Sequence, residues 1–169
     1  IWYDIGNEKS EVAHCRIAGN DEAGIFYEIS SSLHAHDNLI LNNASAGEKL
    51  RGAWGSGGIT LSSSEDCLIE NNTFAGNRDG LAFREQNRTT PRIGGGAEVR
   101  ILNKNHVVRN NIISRSRAFN VAFWMDTTFF GPHPAGHDRN DPVFEDPATL
   151  NFRFDNNFLP VLPGRPAYL

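Results

Sequence analysis

The chain has 169 residues, of which 39% are hydrophobic and 21% are charged, a length and composition that suit one domain with its own core. Its formal net charge of -4 argues against nucleic acid or an anionic membrane as a partner, and no apolar run approaches the roughly 18 residues that a membrane span needs. Two cysteines are too few for a disulfide framework.

A five-residue phrase at the N-terminus occurs again one repeat later. IWYDI at 1–5 returns as IFYEI at 25–29, with an aromatic residue, a tyrosine and an acid in the same places. Further short apolar strands are predicted at 59 (ITLSS), 81 (LAFRE) and 121 (VAFWM). A period of about 22 to 24 residues, with short β-runs and Gly/Asn turns, indicates a solenoid.

Asparagines recur in register between these strands. The segments HCRIAGN, DNLILNN, NNTFAGN and NNIISRS align on the apolar residues Ile17, Ile40, Phe74 and Ile113. The flanking columns are Cys15, Asn38, Asn72 and Asn111 on one side and Asn20, Asn43, Asn77 and Ser116 on the other. Such residues can be ordinary turn formers, but stacked asparagines also bond to their own bend and to the next coil. The pattern predicts an all-β fold, a right-handed parallel β-helix of about five coils with an Asn ladder.

The coils are expected to occupy residues 1–126, with residues 127–169 closing the same domain. Because the chain opens on Ile1 without an initiator methionine or a signal-peptide pattern, we expect it to be the C-terminal part of a longer β-helix. Two insertions, near 46–58 and 86–98, come just before the strand at 59 and just after the strand at 81. They are expected to rise from opposite edges of one sheet and to form a cleft.

Strand alternation assigns the two faces of this sheet. The residues expected to point inward are Ile1, Tyr3, Ile5, Ile25, Tyr27, Ile29, Ile59, Leu61, Leu81, Phe83, Val121, Phe123 and Met125. The outward columns are Trp2, Phe26, Thr60, Ala82 and Ala122; Asp4, Glu28, Ser62, Arg84 and Trp124; and Gly6, Ser30, Ser64, Gln86 and Asp126. Stacked acids repel one another, so the Asp4–Glu28 pair favours a functional explanation.

Carbohydrate chemistry fits this outward face. One strand spacing puts the carboxyl groups of Asp4 and Glu28 near 5 Å apart, a separation typical of retaining glycosidases, and repulsion raises the pKa of one of them, which becomes the acid. Arg84 or Arg88 could hold a uronate or a sulfate. Four aromatic residues are expected to be exposed as platforms for sugar rings: Trp2, Phe26, Trp54 and Trp124. The alternatives are that the two acids are solvated surface residues or that they hold Ca²⁺; no other cofactor is expected.

Two segments with histidines are weaker candidates for a metal site. LHAHDN at 33–38 places His34 and His36 on one face beside Asp37, but no third ligand is defined, and a surface role is favoured. GPHPAGHDRNDP at 131–142 is typical of a closing loop. The sequence therefore predicts no metal site in either of these two segments.

Four motifs follow one another along the chain: IWYDI, GIFYEIS one coil later, GAWGSGGITLSS and FREQNR. This series resembles bacterial right-handed parallel β-helix repeat proteins of the pectate-lyase-like superfamily. Those proteins often contain W-x-D-I, G-I-F-x-E-I-S, a tryptophan before G-x-G-I, and Q-x-R after the fourth strand. The end, DPVFEDPATLNFRF…LPGRPAYL, is similar to their common tail, with Arg165 in place of the usual serine. The residues that match the motifs are Trp2, Asp4, Glu28, Ser30, Trp54, Gln86 and Arg88.

The resemblance implies a secreted or periplasmic bacterial enzyme that cleaves glycosidic bonds in a polysaccharide or oligosaccharide, acting as a monomer on a carbohydrate. The acid pair is similar to that of the retaining β-helical β-xylosidases, by analogy with which Asp4 is the nucleophile and Glu28 the acid/base; the sequence leaves this order open. Two alternatives remain, a polysaccharide lyase or epimerase acting on uronates and a non-catalytic carbohydrate-binding β-helix. The residues expected to bind substrate are Trp2, Phe26, Ser30, Trp54, Arg84, Gln86, Arg88 and Trp124.

Overall fold

The structure, a computed structural model, describes residues 1–46, 54–86, 88–93, 95–125 and 151–160. The strands of these residues form three stacks of parallel strands and one antiparallel hairpin, which confirms the predicted all-β parallel β-helix. Nothing in these ranges forms a helix of the length and hydropathy needed to cross a membrane. The loop at 131–142, Asp126 and Arg165 lie outside the described residues.

The first sheet carries the outward acids. Its register aligns Ile25, Ile59, Leu81 and Val121 on successive strands, so the predicted apolar stack is confirmed. The strands, in spatial order, are β1 Trp2–Tyr3, β4 Ile25–Glu28, β7 Gly57–Ser62, β10 Asp79–Glu85 and β15 Phe119–Met125.

Two further sheets complete each coil with strands of three residues. The second contains β2 Glu11–Ala13, β5 His34–His36, β8 Leu68–Glu70, β13 Val107–Arg109 and β16 Arg153–Asp155. The third contains β3 Arg16–Ala18, β6 Leu39–Leu41, β9 Thr73–Ala75 and β14 Ile112–Ser114. The central residue of each strand is apolar, and those of the complete coils pack with the inward residues of the first sheet in one core.

The second insertion forms a hairpin of β11 Arg88–Pro91 and β12 Glu98–Ile101. It reaches back across the coils to the first one, where Ile93 N donates to Glu8 Oε1 over 3.4 Å. Its Arg92 pairs with Glu65 and lies 3.3 Å from Ser31 Oγ. Ion pairs and hydrogen bonds to three successive coils therefore fasten this hairpin along one edge of the first sheet.

Asparagine side chains join the coils at two bends, as the sequence predicts. Asn72 shows the pattern: its Oδ1 accepts from Asn38 N at 3.0 Å and Nδ2 at 2.9 Å, and its Nδ2 donates to Ala35 O and Asn111 Oδ1. A second ladder runs through Asn20, Asn43 and Asn77. These bonds satisfy polar groups that the interior would otherwise leave without partners.

The first ladder continues into the C-terminal segment. Asn157 Oδ1 accepts from Asn111 N at 3.0 Å and from its Nδ2 at 2.9 Å, and β16 pairs with β13 in parallel. Residues 151–160 therefore add part of another coil to the solenoid.

In the first sheet, the alternation of inward and outward side chains stops after the positions of Asp4 and Glu28. Ile5, Ile29 and Ser63 have φ angles of 40°, 47° and 43°, a left-handed conformation that is uncommon for residues other than glycine and especially for β-branched ones. This bend turns the chain at the end of each strand. Ile1 and Ile5, both predicted to point into the core, are 52% and 49% exposed on the first coil, and Ile29 is buried outside the main core cluster.

Candidate functional site

The Asp4 and Glu28 positions lie side by side on the outer face of the first sheet. Trp2 pairs with Phe26 and Tyr3 with Tyr27, which places Asp4 opposite Glu28, and Ile5 N donates to Glu28 O over 3.1 Å. Adjacent strands are about 4.8 Å apart. The register that the sequence predicts for the two acids is therefore present.

The two acids have different surroundings. Glu28 is only 3% exposed, and its burial raises the pKa of the carboxyl group, with a smaller rise from the charge of Asp4. The Gln86 hydrogen bond and the positive charges of Arg84 and Arg88 oppose this rise. Asp4, on the first coil, is exposed. Of the two, Glu28 is thus in the surroundings that favour holding a proton.

Polar side chains from the third and fourth coils converge on Glu28. Gln86 Nε2 donates to Glu28 Oε1 over 2.6 Å and also to Ser62 Oγ. Arg84 Nη1 lies 3.4 Å from the same hydroxyl, and Arg88 Nη1 lies 3.5 Å from Gln86 Oε1. The structure therefore brings the predicted residues Arg84, Gln86 and Arg88 together. Ser62 joins them, although only its place in the outward acid column pointed to it.

Three aromatic rings cluster beside the acids. The Phe26 and Trp54 rings are 4.7 Å apart, and the Trp2 ring lies 5.9 Å from Phe26 and 6.2 Å from Trp54. The Arg84 guanidinium lies 5.0 Å from the Trp54 ring centre, a cation–π contact. Trp54 lies within the first insertion, so residues far apart in sequence meet over one face.

The exposure of these rings differs from the prediction. Trp2 is 60% exposed and offers a free ring face, whereas Phe26 is only 5% exposed. The prediction that Phe26 is an exposed platform was wrong, because Trp2 and Trp54 both pack against it. Phe26 instead supports the two tryptophans from beneath.

Trp124 was also predicted to be an exposed platform, and the structure contradicts this. Its side chain is 5% exposed and packs with Ala82 and Ala122. Its Nε1 donates to Asp79 Oδ2 over 3.2 Å. The two alanines leave a flat surface on which a large ring can be buried, so Trp124 covers the sheet rather than presenting a ring face to solvent.

Ser30 lies at the bend that follows Glu28. Its Oγ donates to Glu28 O over 2.6 Å and accepts from Asn7 N at 3.1 Å, and the residue is buried. These contacts hold the bend of the second coil against the first. Ser30 therefore positions the backbone that carries Glu28.

Calcium between Asp4 and Glu28 stays a prediction that rests on these two acids. Within the ranges that the structure describes, the clusters of three or more carboxylates, imidazoles or thiols close enough to hold a metal ion do not include either acid. The residues around them, Gln86, Arg84 and Ser62, supply mainly hydrogen-bond donors.

Comparison with known protein families identifies the class of this chain. Residues 3–129 match the family described as "Right handed beta helix region", and the chain therefore belongs to that family. Neither a curated protein nor a solved structure matches the chain significantly.

Proposed function

We propose that this β-helix is a carbohydrate-active enzyme of the glycoside hydrolase type, which cleaves glycosidic bonds with retention of configuration. The observation that carries the proposal is the register of Asp4 and Glu28, on adjacent strands and in contrasting surroundings. Retaining enzymes need two carboxyl groups about 5–5.5 Å apart, one ionised and one protonated.

The contrasting surroundings of the two acids support one assignment of their roles. Glu28, whose pKa is raised by burial, donates a proton to the oxygen of the leaving sugar. The exposed Asp4 attacks the anomeric carbon as that bond breaks, which forms a covalent glycosyl-enzyme. Glu28 then takes a proton from water as the water attacks the anomeric carbon, which releases the sugar and regenerates Asp4.

The aromatic cluster supports a sugar substrate. Trp2 has a free ring face beside Asp4, and Phe26 and Trp54 hold it in place through contacts of 4.7 to 6.2 Å. Aromatic faces are apolar surfaces that complement the C–H faces of pyranose rings. The natural substrate is thus proposed to be a secreted or cell-surface glycan that a bacterial enzyme meets outside the cytoplasm.

The test is activity on a panel of plant and algal polysaccharides, measured as released reducing ends and as unsaturated uronate absorbance. We expect reducing ends without unsaturated product, and a loss of about 10³-fold in rate for Asp4→Asn and for Glu28→Gln. Glu98→Gln is the matched control, since this exposed carboxylate bonds Thr89 on the hairpin. Unchanged activity in both acid variants would refute the two-carboxylate mechanism.

A lyase acting on uronates is a second candidate because two arginines adjoin the site. The positive charges of Arg84 and Arg88 act on Glu28 and could equally neutralise a uronate carboxylate next to it. Unsaturated product that persists in Asp4→Asn would favour the lyase. Glycan binding without turnover, unaffected by either acid variant, would favour a carbohydrate-binding β-helix.

A further inference from the structure

A histidine cluster on the second sheet lies apart from the Asp4–Glu28 site. Glu11 of β2 pairs directly with His34 of β5, and His36 follows two residues later on the same strand face. The His34 and His36 rings are 4.1 Å apart between centroids, and His36 Nε2 lies 2.9 Å from Glu11 Oε1. One donor atom from each of the three residues lies within 4.8 Å of the other two.

We propose that Glu11, His34 and His36 form a binding site for a divalent transition-metal ion such as Zn²⁺. Two imidazoles and one carboxylate are a donor set that zinc takes with an open fourth position, and imidazole favours zinc, copper and nickel over calcium or magnesium. The sequence supplied only the two histidines and Asp37. The carboxylate that completes the set comes from the neighbouring coil, 23 residues before His34, through strand pairing.

The distances between the donor atoms suit such an ion once the side chains move slightly closer together. With zinc about 2.0–2.1 Å from each ligand in a tetrahedron, ligand atoms lie roughly 3.4 Å apart. Glu11 Oε1 and His36 Nε2 are already 2.9 Å apart. All three residues stand on paired strands, so their Cα atoms are held and only side-chain torsions must change.

A second layer of carboxylates holds the rings. Asp37 Oδ2 lies 2.8 Å from His36 Nδ1, and Glu70 Oε1 lies 2.9 Å from His34 Nε2. Arg109 Nε donates to Glu70 Oε2 over 2.6 Å and so fixes that carboxylate. A carboxylate on one ring nitrogen of a metal-ligating histidine is the usual outer arrangement, because it orients the ring and strengthens the other nitrogen as a ligand.

The two carboxylates around His36 stabilise a positive charge at its ring. Carboxylate oxygens lie within 3 Å of both of its ring nitrogens, from Glu11 on one side and Asp37 on the other. A metal dication bound at His36 Nε2 supplies that charge on the Glu11 side.

The cluster is open to solvent. The side chain of Glu11 is 66% exposed and that of His34 is 38% exposed. His14, His36 and Asp37 form a second close set that shares His36. An ion can therefore reach the cluster without rearrangement of the coils.

The experiment is titration of the whole metal-free chain with Zn²⁺ by isothermal calorimetry at neutral pH, with Ca²⁺ as the comparison ion. We expect one Zn²⁺ per chain, no comparable binding of Ca²⁺, and at least a tenfold loss of Zn²⁺ affinity in His34→Ala and in Glu11→Gln. Asp37→Asn and Glu70→Gln should weaken binding about tenfold by removing the outer carboxylates. Circular dichroism of each variant checks that the coils are intact.

Two control variants locate the ion. His14→Ala should retain Zn²⁺ affinity within about twofold, and so should the double variant His133→Ala/His137→Ala, which removes histidines elsewhere in the sequence. Absence of Zn²⁺ binding by the wild-type chain would overturn the proposal. Full Zn²⁺ binding by a folded His34→Ala variant would overturn it too. So would loss of binding in His14→Ala alone, which would place the ion at His14, His36 and Asp37 instead.

Discussion

Gln86 Nε2 donates a 2.6 Å hydrogen bond to Glu28 Oε1, which joins the fourth coil to the second. The same nitrogen reaches Ser62 Oγ on the coil between them. The carboxyl group that is proposed as the acid is thus held by a side chain 58 residues away. This contact helps to hold Glu28 in position and lowers its pKa, against the larger rise that burial causes.

Replacing Gln86 by methionine should raise the pKa of Glu28. The lost hydrogen bond is one of the interactions that oppose the effect of burial, so the protonated acid persists to higher pH. Carbon-13 NMR of the Glu28 carboxyl group would measure the shift, and the alkaline limb of any pH–rate profile should move upward with it.

A suitable control for this change is Asn105→Gly. The Asn105 amide bonds Asp66 rather than Glu28, and its φ of 57° suits glycine. A Glu28 titration that is the same in wild type and Gln86→Met would show that this hydrogen bond has no influence on the acid.

Glu28→Gln should stabilise the protein at neutral and alkaline pH. Because the folded-state pKa of Glu28 is raised, the folded chain binds a proton more tightly than the unfolded chain. The contribution of Glu28 to stability is therefore fully present below its unfolded-state pKa and is lost as the pH rises from there through its folded-state pKa. Thermal unfolding should show a higher midpoint for the variant at pH 8 and a smaller difference at pH 4. A difference that grows toward low pH would contradict the assignment.

Trp54→Ala should weaken glycan binding. The substitution removes the ring that packs on Phe26 and Trp2 and takes away the Arg84 cation–π contact, which contributes about 0.5–2 kcal/mol. We expect KM to rise about tenfold on the active polysaccharide, with a smaller change in kcat.

Trp124→Phe provides the contrast. This variant keeps an aromatic ring but loses the bond from Nε1 to the buried Asp79, so it should lower stability by about 1–3 kcal/mol while KM stays unchanged. A raised KM in Trp124→Phe would instead show that the Trp124 ring contacts the substrate.

Asn72→Ala should lower the free energy of unfolding by about 2–4 kcal/mol. The substitution removes four hydrogen bonds, including those from Asn72 Nδ2 to the buried Ala35 O and from Asn38 N to Asn72 Oδ1. Urea denaturation followed by circular dichroism measures the loss. Asn20→Ala, at the exposed end of the other ladder, should cost less than 1 kcal/mol; equal losses would mean that burial does not set the strength of the ladder.

Local repetition in the sequence determined the fold and the register of its strands. The recurrence of IWYDI as IFYEI specifies which residues stack, because a parallel β-helix places equivalent residues of successive coils one above another. The same rule placed Asp4 beside Glu28 and built the ladder through Asn38, Asn72 and Asn111.

Only the tertiary structure decided which outward residues stay exposed and what meets them. Strand alternation predicts which way a side chain points, but not whether other side chains cover it. Phe26 and Trp124 were therefore predicted to be exposed, although neighbouring rings and alanines bury them. The left-handed bends end the alternation at Ile5 and Ile29, β-branched residues that the sequence pattern assigns to a continuing strand. Contacts between coils also joined Gln86 to Glu28 and Glu11 to His36. The distance between such residues depends on how the coils and their insertions pack against one another. The sequence of a single repeat does not specify that packing.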